Sequence, residues 1–415
     1  MGDGGKTIGM NAETEIRSDV AIVGAGPVGA LVAALIAQAG LSVTVIEAGK
    51  AEIITKPQSD GRAIALALAP KRALDVGGFW PLLAADAEPI LDIRVTDGHA
   101  PVYLHYDHRT VGTDPFGWII ENEVIKTAAL ARLHQLGVRV LTETRVESWE
   151  FGPHEAVAHL AGGGRVRARL AVAADGRRSF TRDAAGIEIT GWDYGQSAIV
   201  CAIAHEKPHR GIAHEHFMSA GPFAILPMTG NRSGIVWTEA RKRAQGIVDQ
   251  TDGAFLAEMA ERFGDFLGPL TLASPRFAYP LTFQIAKKYT GKRLVLVGDA
   301  AHGMHPIAGQ GLNLGLRDAA ALGQVVVEAA RLGLDIGGSP VLDRYRAWRR
   351  VDTALMMGVT DSLNKLFTSD LAPVKLARDV GLWAVEHTPP LKTLFMRHAM
   401  GVAGDLPRPL KGEAI

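Results

Sequence analysis

Three glycines, Gly24, Gly26 and Gly29, lie between an apolar run and an Ala/Leu-rich segment. The run Asp19–Gly24 predicts a buried parallel strand, and Pro27–Ala39 predicts a helix. At this spacing the first glycine permits a tight turn, the second lets the backbone approach a pyrophosphate, and the third lets the helix pack on the strand. Because a helix N-terminus presents free N–H groups and partial positive charge, the pattern predicts a dinucleotide-binding site.

A carboxylate follows the next predicted strand, Ser42–Ile46. It belongs to Glu47, which lies 18 residues after Gly29, and Gly40 ends the intervening helix. A carboxylate at this position can accept hydrogen bonds from an adenosine ribose and would repel a 2′-phosphate. The strand–helix–strand unit therefore favours FAD or NAD over NADP.

A second motif follows another apolar run, Arg169–Ala174, which predicts a buried strand. It places Asp175 and Gly176 at the strand end, where α/β folds bind ligands. The same residues fit a turn with Ser179 as a helix N-cap equally well. Taken alone, the motif leaves both interpretations open.

A third, glycine-rich motif joins the predicted strand Arg293–Val297 to the predicted helix Gly311–Leu332. Asp299 follows the strand, where it could bind a polyol hydroxyl, and Pro306 stiffens the loop. Because the loop opens a long helix, backbone N–H groups and the positive end of the helix dipole converge there, which suits an anionic reduced flavin ring. The alternative is a structural loop capped by Asn313.

The composition limits the function classes. Of the 415 residues 47% are apolar and 21% charged, which is typical of a globular protein. Lys+Arg and Asp+Glu both number 44, so no bulk charge attracts nucleic acid, and no nucleic-acid partner is expected. The single cysteine, Cys201, excludes an intramolecular disulfide framework and fits a reducing compartment. With neither a membrane-span pattern nor a secretory signal, a cytoplasmic location is expected.

Parallel-strand patterns occur towards both ends of the chain, with alternating strand-like segments between them. The order predicts an α/β fold: a Rossmann-like FAD-binding domain built from separated segments, an inserted, mostly antiparallel β-sheet substrate domain, and a helical C-terminal region. We assign residues 1–18 to a flexible tail, 19–90, 111–189 and 286–340 to the FAD-binding domain, 91–110 and 190–285 to the substrate domain, and 341–415 to the C-terminal region. Ala63–Leu83 and Asn122–Leu136 are predicted as helices.

The three motifs in this order resemble those of FAD-dependent aromatic hydroxylases of the single-component, para-hydroxybenzoate hydroxylase type. The run HPIAGQGLNLGLRD, residues 305–318, is similar to the pattern of the ubiquinone-biosynthesis hydroxylases. The C-terminal pattern from Thr360 to Gly401 also resembles that family, and the resemblance covers nearly all of residues 19–407. It implies a flavin-binding domain, a β-sheet substrate domain and a helical C-terminal cover.

The resemblance also implies which residues hold FAD. Glu47 would bind its ADP part, Asp175 would lie beside the pyrophosphate, Asp299 would bind the ribityl chain, and the turn from Pro306 to Asn313 would line the isoalloxazine. Asn122 stands where many relatives have an arginine or an amide. The implied cofactor-binding residues are Gly24, Gly26, Pro27, Gly29, Glu47, Ala48, Arg62, Asn122, Val146, Asp175, Gly176, Gly298, Asp299, Pro306, Gly309, Gln310, Gly311, Leu312 and Asn313.

The implied reaction uses NAD(P)H as electron donor and O2 as co-substrate. A nicotinamide reduces FAD, and the reduced flavin reacts with O2 to form a C4a-hydroperoxide, which hydroxylates an electron-rich phenol ring. This chemistry needs no protein nucleophile, because the cofactor carries it. His302 and His305 are weak candidates for a proton relay, and for each the alternative is a hydrogen-bonded structural histidine.

Family membership implies a small aromatic substrate with a polyprenyl tail, on the route to ubiquinone. Hydroxylation of a soluble phenol and reduction of a prenyl chain stay open, as does a non-catalytic FAD-bound subunit of a quinone-biosynthesis complex. The segment Leu371–Ile415 has a net charge of +2 and several apolar side chains. It could therefore also contact the inner face of a membrane peripherally.

Two further patterns have simpler interpretations. His214 and His216 share a face of a predicted strand, but two histidines without a third ligand do not predict a metal site. The arginines at 344, 346, 349 and 350 form a cluster that is typical of a solvated helix face.

Overall fold

The computed structural model describes residues 14–50, 58–97, 103–304, 309–367 and 385–415. Its strands are β1 (Glu15–Val23), β2 (Val43–Ile46), β3 (Ala63–Ala67), β4 (Glu88–Ile90), β5 (Asp92–Asp97), β6 (Tyr103–Asp107), β7 (Gly117–Glu121), β8 (Arg139–Leu141), β9 (Val146–Phe151), β10 (Ala156–Leu160), β11 (Arg165–Ala173), β12 (Ile189–His205), β13 (Ile212–Met218), β14 (Gly221–Met228), β15 (Arg232–Ala240), β16 (Leu270–Leu272), β17 (Phe277–Ala286), β18 (Thr290–Gly291), β19 (Leu294–Leu296) and β20 (His302–Gly303). Its α-helices are α1 (Pro27–Gln38), α2 (Leu68–Val76), α3 (Asn122–Gln135), α4 (Phe180–Ala184), α5 (Arg241–Val248), α6 (Asp252–Phe263), α7 (Gln310–Arg331), α8 (Ser339–Phe367), α9 (Pro389–Ala399) and α10 (Arg408–Lys411).

The first sheet has the order β18-β19-β11-β1-β2-β8, and its strands from β19 to β8 are parallel. The hairpin β9–β10 adds antiparallel strands beside β11. Val20, Ala21 and Ile22 of β1 are all fully buried, so both faces of the sheet are covered. Burial on both faces explains why β1 is apolar without alternation.

The first strand begins earlier than the sequence predicts. β1 starts at Glu15 and pairs with β11 from Arg165 onward, so residues 15–18 are not part of a flexible tail. Ile16 is buried, while Glu15 forms ion pairs with Arg165 and Arg167. The polar residues conceal this strand extension in the sequence, and residues 1–13 lie outside the described part of the chain.

The second sheet has the order β20-β17-β12-β15-β14-β13-β5-β6, with β16 beside β12. Its pairs are antiparallel except for β13 with β5. One face packs on α5 and α6 through a core that includes Phe223, Trp237 and Phe255. Because residues 91–110 and 190–285 supply most of these strands, we propose them as the substrate domain.

A third sheet, β3-β7-β4, is separate from the two larger ones, and its side chains pack in the core clusters of both. The helix predicted over Ala63–Leu83 is wrong at its start, because Ala63–Ala67 form β3 and α2 begins at Leu68. Although alanine favours helices, β3 pairs with β7 on one side, and the side-chain amide of Asn313 binds its backbone on the other. Tertiary contacts here override local propensity. The helix predicted at 122–136 forms as α3.

The C-terminal part is helical, as predicted. Residues Asn313–Val327 of α7 are buried, and Leu406 and Leu410 reach the main core from the end of the chain. The core therefore lies between the first sheet, α1 and α7. None of the helices that the structure describes is long and apolar enough to cross a membrane.

Candidate functional site

The first glycine motif forms a tight turn in which two of the glycines are enclosed. Gly24 has a φ of +106°, and a methyl group there would lie 2.3 Å from the Ala174 carbonyl oxygen. A methyl group at Gly29 would lie 2.1 Å from the Gly24 carbonyl oxygen. At Gly26, which precedes α1, a methyl group would meet nothing within 4 Å. Packing therefore accounts for the outer two glycines, whereas Gly26 borders open space at a helix N-terminus, which fits a pyrophosphate.

Glu47 lies beside this turn, at the carboxyl end of β2. Its Oε2 accepts a hydrogen bond of 2.7 Å from the Ala25 amide, and its Oε1 accepts one of 2.7 Å from the Gly49 amide. These bonds fix the orientation of the carboxylate, and each oxygen keeps a second lone pair for a ribose hydroxyl. Ala48 is exposed next to it.

The three motifs meet at one edge of the first sheet. Because β1, β11 and β19 are parallel neighbours, their carboxyl ends lie side by side. Val28 of the first motif packs on the third: methyl groups at Gly298 and Gly315 would lie 3.3 Å and 2.7 Å from its Cγ2. Ligands bind at such a strand-end edge in open α/β sheets.

The second motif forms the N-cap that the sequence left as an alternative. The Ser179 hydroxyl donates to Asp175 Oδ1 and accepts from the Arg182 amide, and Asp175 Oδ2 accepts from the Thr181 amide at 3.0 Å. Asp175 therefore caps the start of α4. A contact of Asp175 and Gly176 with the pyrophosphate stays a prediction.

Asp299 is exposed and follows β19, where the sequence places it. The guanidinium of Arg177 lies 3.7 Å from its carboxylate and also donates to the Thr282 hydroxyl at 2.6 Å. Arg177 thus connects the strand-end edge to β17 of the second sheet. Arg177 was not among the predicted site residues, and its position directly after Gly176 was the available signal.

The start of α7 supports β3. Gly309 has a φ of +62°, and a methyl group at Gly311 would meet nothing within 4 Å. Asn313 Oδ1 accepts from the Ala67 amide at 3.0 Å, and its Nδ2 donates to the Ala65 carbonyl at 2.8 Å. The Asn313 side chain is therefore structural. Gln310 and Leu312 lie in the same turn, and Pro306 and His305 lie outside the described residues.

Arg62 and Asn122 are brought together by Asp60. The Asp60 carboxylate accepts from Arg62 at 2.6 Å, from Asn122 at 2.7 Å and from Lys126 at 3.0 Å. Burial works to raise the pKa of Asp60, but these partners hold it well below its usual range. Burial works to lower the pKa of Arg62, but Asp60, Tyr279 and Asp299 raise it. The net effect is a raised pKa of the Arg62 guanidinium.

His302 is a buried structural histidine. Its Nε2 lies 2.6 Å from Oδ2 of Asp318, and both side chains are 2% exposed. Oδ1 of Asp318 accepts from Nε of Arg349 at 2.6 Å, and Oδ2 also accepts from the Gly298 amide. Burial works to raise the pKa of Asp318, but the charges of His302 and Arg349 lower it. The Asp318 carboxylate is therefore an acceptor, and His302 Nε2 donates to it.

The arginine cluster is not uniformly solvated. Arg349 is 3% exposed and binds Asp318 and Asp352, so the predicted solvated face is wrong for this residue. Arg344 and Arg346 are more than half exposed.

The structure also places Val146, close to the carboxyl end of β2, and the two histidines of β13. Val146 begins β9 and packs on the cluster that contains Ile46. The rings of His214 and His216 lie 5.8 Å apart on one face of β13. No group of three or more metal-ligating side chains occurs within the described ranges.

Comparison with known proteins agrees with this geometry. A family model described as an FAD binding domain matches residues 17–357. The chain is 49% identical over 393 residues to the ubiquinone hydroxylase UbiL of Rhodospirillum rubrum, covering 94% of this chain and 91% of that protein. It is 32% identical to the 3-demethoxyubiquinol 3-hydroxylase of Escherichia coli, with 94% and 100% covered. The p-nitrophenol 4-monooxygenase of Pseudomonas putida shares the fold, with a TM-score of 0.78 at 19% identity and 93% and 98% covered.

The fold, the family model and these relatives together define a flavoprotein monooxygenase. The chain belongs to the FAD-binding-domain family and, within it, to the ubiquinone-biosynthesis hydroxylases of the para-hydroxybenzoate hydroxylase type. The α/β fold, the enzyme class and the FAD cofactor that the sequence predicts are thereby confirmed.

Proposed function

We propose that this chain hydroxylates the aromatic ring of a polyprenylated phenol in ubiquinone biosynthesis, with NAD(P)H as electron donor and O2 as co-substrate. The observation that carries the proposal is the 49% identity to a ubiquinone hydroxylase over 94% of the chain. The site geometry agrees with it, because all three FAD motifs converge on one edge of the first sheet.

The strand-end edge is suited to hold FAD. Gly26 and the N-terminus of α1 offer open space and free N–H groups for the pyrophosphate, and Glu47 offers acceptors for the ribose. We propose that Asp299 binds the ribityl hydroxyls and that Arg177 keeps the Asp299 carboxylate in place. Bound FAD supplies the electron transfer and the oxygen activation. The chain itself positions the ring and excludes water.

The substrate side of the site is apolar. Ala202, Ala213 and Met228 of the second sheet form one cluster with Leu68 of α2 and Met400 beside α9. Surroundings of this kind suit a prenylated ring, since little of the substrate besides its ring oxygens can form hydrogen bonds.

We also propose peripheral membrane contact through α9. Leu394 and Phe395 are 58% and 45% exposed on this helix, and Arg397, two residues further along, is also exposed. Exposed apolar side chains beside cations are typical of a helix that lies on an anionic lipid surface.

Extraction of quinone intermediates from cells lacking this protein tests the proposal. We expect one accumulated prenylated precursor that lacks one oxygen, and we expect the wild-type chain to restore ubiquinone. Accumulation of a quinone that differs only in the saturation of its tail would instead indicate a prenyl reductase. Complementation by a chain that cannot retain FAD would contradict the enzymatic role and favour a non-catalytic subunit.

A further inference from the structure

Glu215 is an acidic side chain on the inner face of the second sheet. Side chains alternate along a strand, so Glu215 shares a face of β13 with Ala213, opposite to His214 and His216. Ala213 packs in the cluster that contains Leu68 and Met400, so this face is turned towards the FAD-binding side. Glu215 lies between His214 and His216, and the sequence pattern predicted no role for it.

The residues beside Glu215 form an apolar row across the sheet. Glu215 pairs with Val95 on one side and with Ala224 on the other, and the row continues through Val236 to Val200. Glu215 is therefore the one ionisable group in a band of small apolar side chains.

The row ends beside the proposed cofactor site. A methyl group at Gly61 would lie 3.1 Å from the Val200 carbonyl oxygen, and Arg62 follows Gly61. Three strand spacings separate Glu215 from Val200, which amounts to about 14 Å. This distance is long enough for a phenol ring, whose hydroxyl would face β13 and whose reacting carbon would face the flavin side.

The Glu215 side chain is neither fully exposed nor fully enclosed. The carboxyl lies deep enough for burial to raise its pKa to about 7, yet part of the side chain stays accessible. Burial is the one cause of this shift, so no charge or hydrogen bond from the described residues stabilises the ionised form. A buried carboxyl without such partners is suited to exchange a proton with a ligand near neutral pH.

We propose that the Glu215 carboxylate accepts the proton of the substrate's ring hydroxyl and so positions and activates the ring; this role rests on the proposed function. In the step the O–H bond of the phenol breaks, its electron pair stays on the oxygen as a phenolate, and a new O–H bond forms on Glu215. The phenolate is the electron-rich ring that hydroxylation requires. The proton leaves Glu215 to solvent before the next turnover.

Other ionisable groups face the same region from the neighbouring elements. Asp97 on β5 stands opposite Phe217, and Tyr106 lies on β6 near Glu386 and Lys392. Tyr194 and Tyr279 lie on the more distant strands β12 and β17. Burial raises the pKa of Tyr106 and of Tyr194 far above neutrality, so neither titrates near pH 7.

The kinetic test compares Glu215→Gln with Glu206→Gln, an exposed glutamate of the same domain. With 2-prenylphenol as substrate, we expect Glu215→Gln to retain FAD and to keep KM within about threefold, because the amide can still hydrogen-bond the hydroxyl. We expect kcat to fall by about 100-fold or more and the rise of activity through pH 7 to disappear. Glu206→Gln and Asp97→Asn should keep that rise. An unchanged kcat and pH profile in Glu215→Gln would overturn the proposal.

Infrared difference spectroscopy gives a readout apart from activity. In the wild-type holoenzyme we expect a protonated-carboxyl band that titrates near pH 7, is absent in Glu215→Gln, and changes when 2-prenylphenol binds. A wild-type band that does not change when 2-prenylphenol binds would contradict the role of Glu215, even if the variant failed to fold. Failure of the wild-type enzyme to hydroxylate any phenol would instead contradict the proposed function.

Discussion

Nε2 of His302 lies 2.6 Å from Oδ2 of Asp318, inside a core where both side chains are almost inaccessible. Asp318 also binds Arg349, so one buried carboxylate connects the third motif to α8. Replacing Asp318 by Asn would remove one of the two carboxylates that compensate the buried charge of Arg349, and His302 would then face a neutral amide. We expect the free energy of unfolding to fall by about 3–5 kcal/mol in urea titrations.

A matched exposed residue provides the control for Asp318. Asp343 lies on the same helix as Arg349, is about half exposed and pairs with Arg346. Asp343→Asn should change the free energy of unfolding by less than about 1 kcal/mol. Equal effects of the two substitutions would show that the buried network adds no special stability.

Acid should weaken the neighbouring ion pair formed by Asp352. Burial works to raise the pKa of Asp352, but the charges of Arg349 and Arg317 lower it from 3.8 to about 2. Because the folded pKa lies below the unfolded one, this stabilisation is complete above about pH 4 and is lost as the pH falls through 2. The shift corresponds to about 2 kcal/mol.

Denaturant unfolding at a series of pH values tests whether the stabilisation by Asp352 is lost in acid. The stability difference between the wild type and Asp352→Asn should be largest above about pH 4 and should shrink by about 2 kcal/mol on approach to pH 2. A difference that stays constant or grows in acid would contradict the lowered pKa of Asp352.

The sequence predicts those strands whose own residues show that both of their faces are buried. The run Asp19–Gly24 and the run Arg293–Val297 are apolar on both faces, so they can be recognised as parallel strands without knowledge of their neighbours. The strand β3 cannot be recognised in this way. It depends on hydrogen bonds from Asn313, which lies 246 positions away from Ala67, and its own residues favour a helix.

The same distinction applies to the site. Gly24 was predicted to permit a tight turn and Gly29 to let the helix pack on the strand, and the φ of +106° at Gly24 and the close approach of Gly29 to the Gly24 carbonyl oxygen agree with these predictions. The buried position of Arg349 could not be predicted, because its partner Asp318 lies 31 positions earlier on another helix. An arginine among other arginines indicates a surface unless its buried partner is known.

Substitutions at two glycines of the first motif should distinguish an effect on cofactor binding from an effect on folding. Gly26 has an ordinary φ of −63°, and a methyl group there would meet open space. We expect Gly26→Ala to fold normally but to bind FAD at least about tenfold more weakly, because the methyl group occupies the space for the pyrophosphate. Gly29→Ala should instead lower the melting temperature, because its methyl group would clash with the Gly24 carbonyl oxygen. Flavin absorbance measures FAD retention in both variants, and thermal unfolding measures their stability. Full retention of flavin by Gly26→Ala would argue against a pyrophosphate at this glycine.

The exposed apolar residues of α9 allow a test of membrane contact. We expect the double substitution Leu394→Glu and Phe395→Glu to lower binding to phosphatidylglycerol vesicles by at least about tenfold, since each side chain contributes about 1.5–3 kcal/mol when buried in the interface. Leu332→Glu is the control, because Leu332 is 74% exposed at the end of another helix. Sedimentation with vesicles measures binding, and equal loss in the control would exclude α9 as the specific contact.

The placement of the ribityl chain depends on Asp299. Its carboxylate is exposed at the carboxyl end of β19, with Arg177 at 3.7 Å, so a hydroxyl-bearing chain can reach it from the strand-end edge. Asp299→Ala removes these acceptors without disturbing the core, and we expect the protein to fold with an unchanged circular dichroism spectrum but to lose the yellow flavin absorbance on purification. Asp249→Ala, at an exposed residue that follows α5, should keep the flavin. Asp299→Asn should retain part of it, because the amide oxygen still accepts a hydrogen bond. Full retention of flavin by Asp299→Ala would refute this placement.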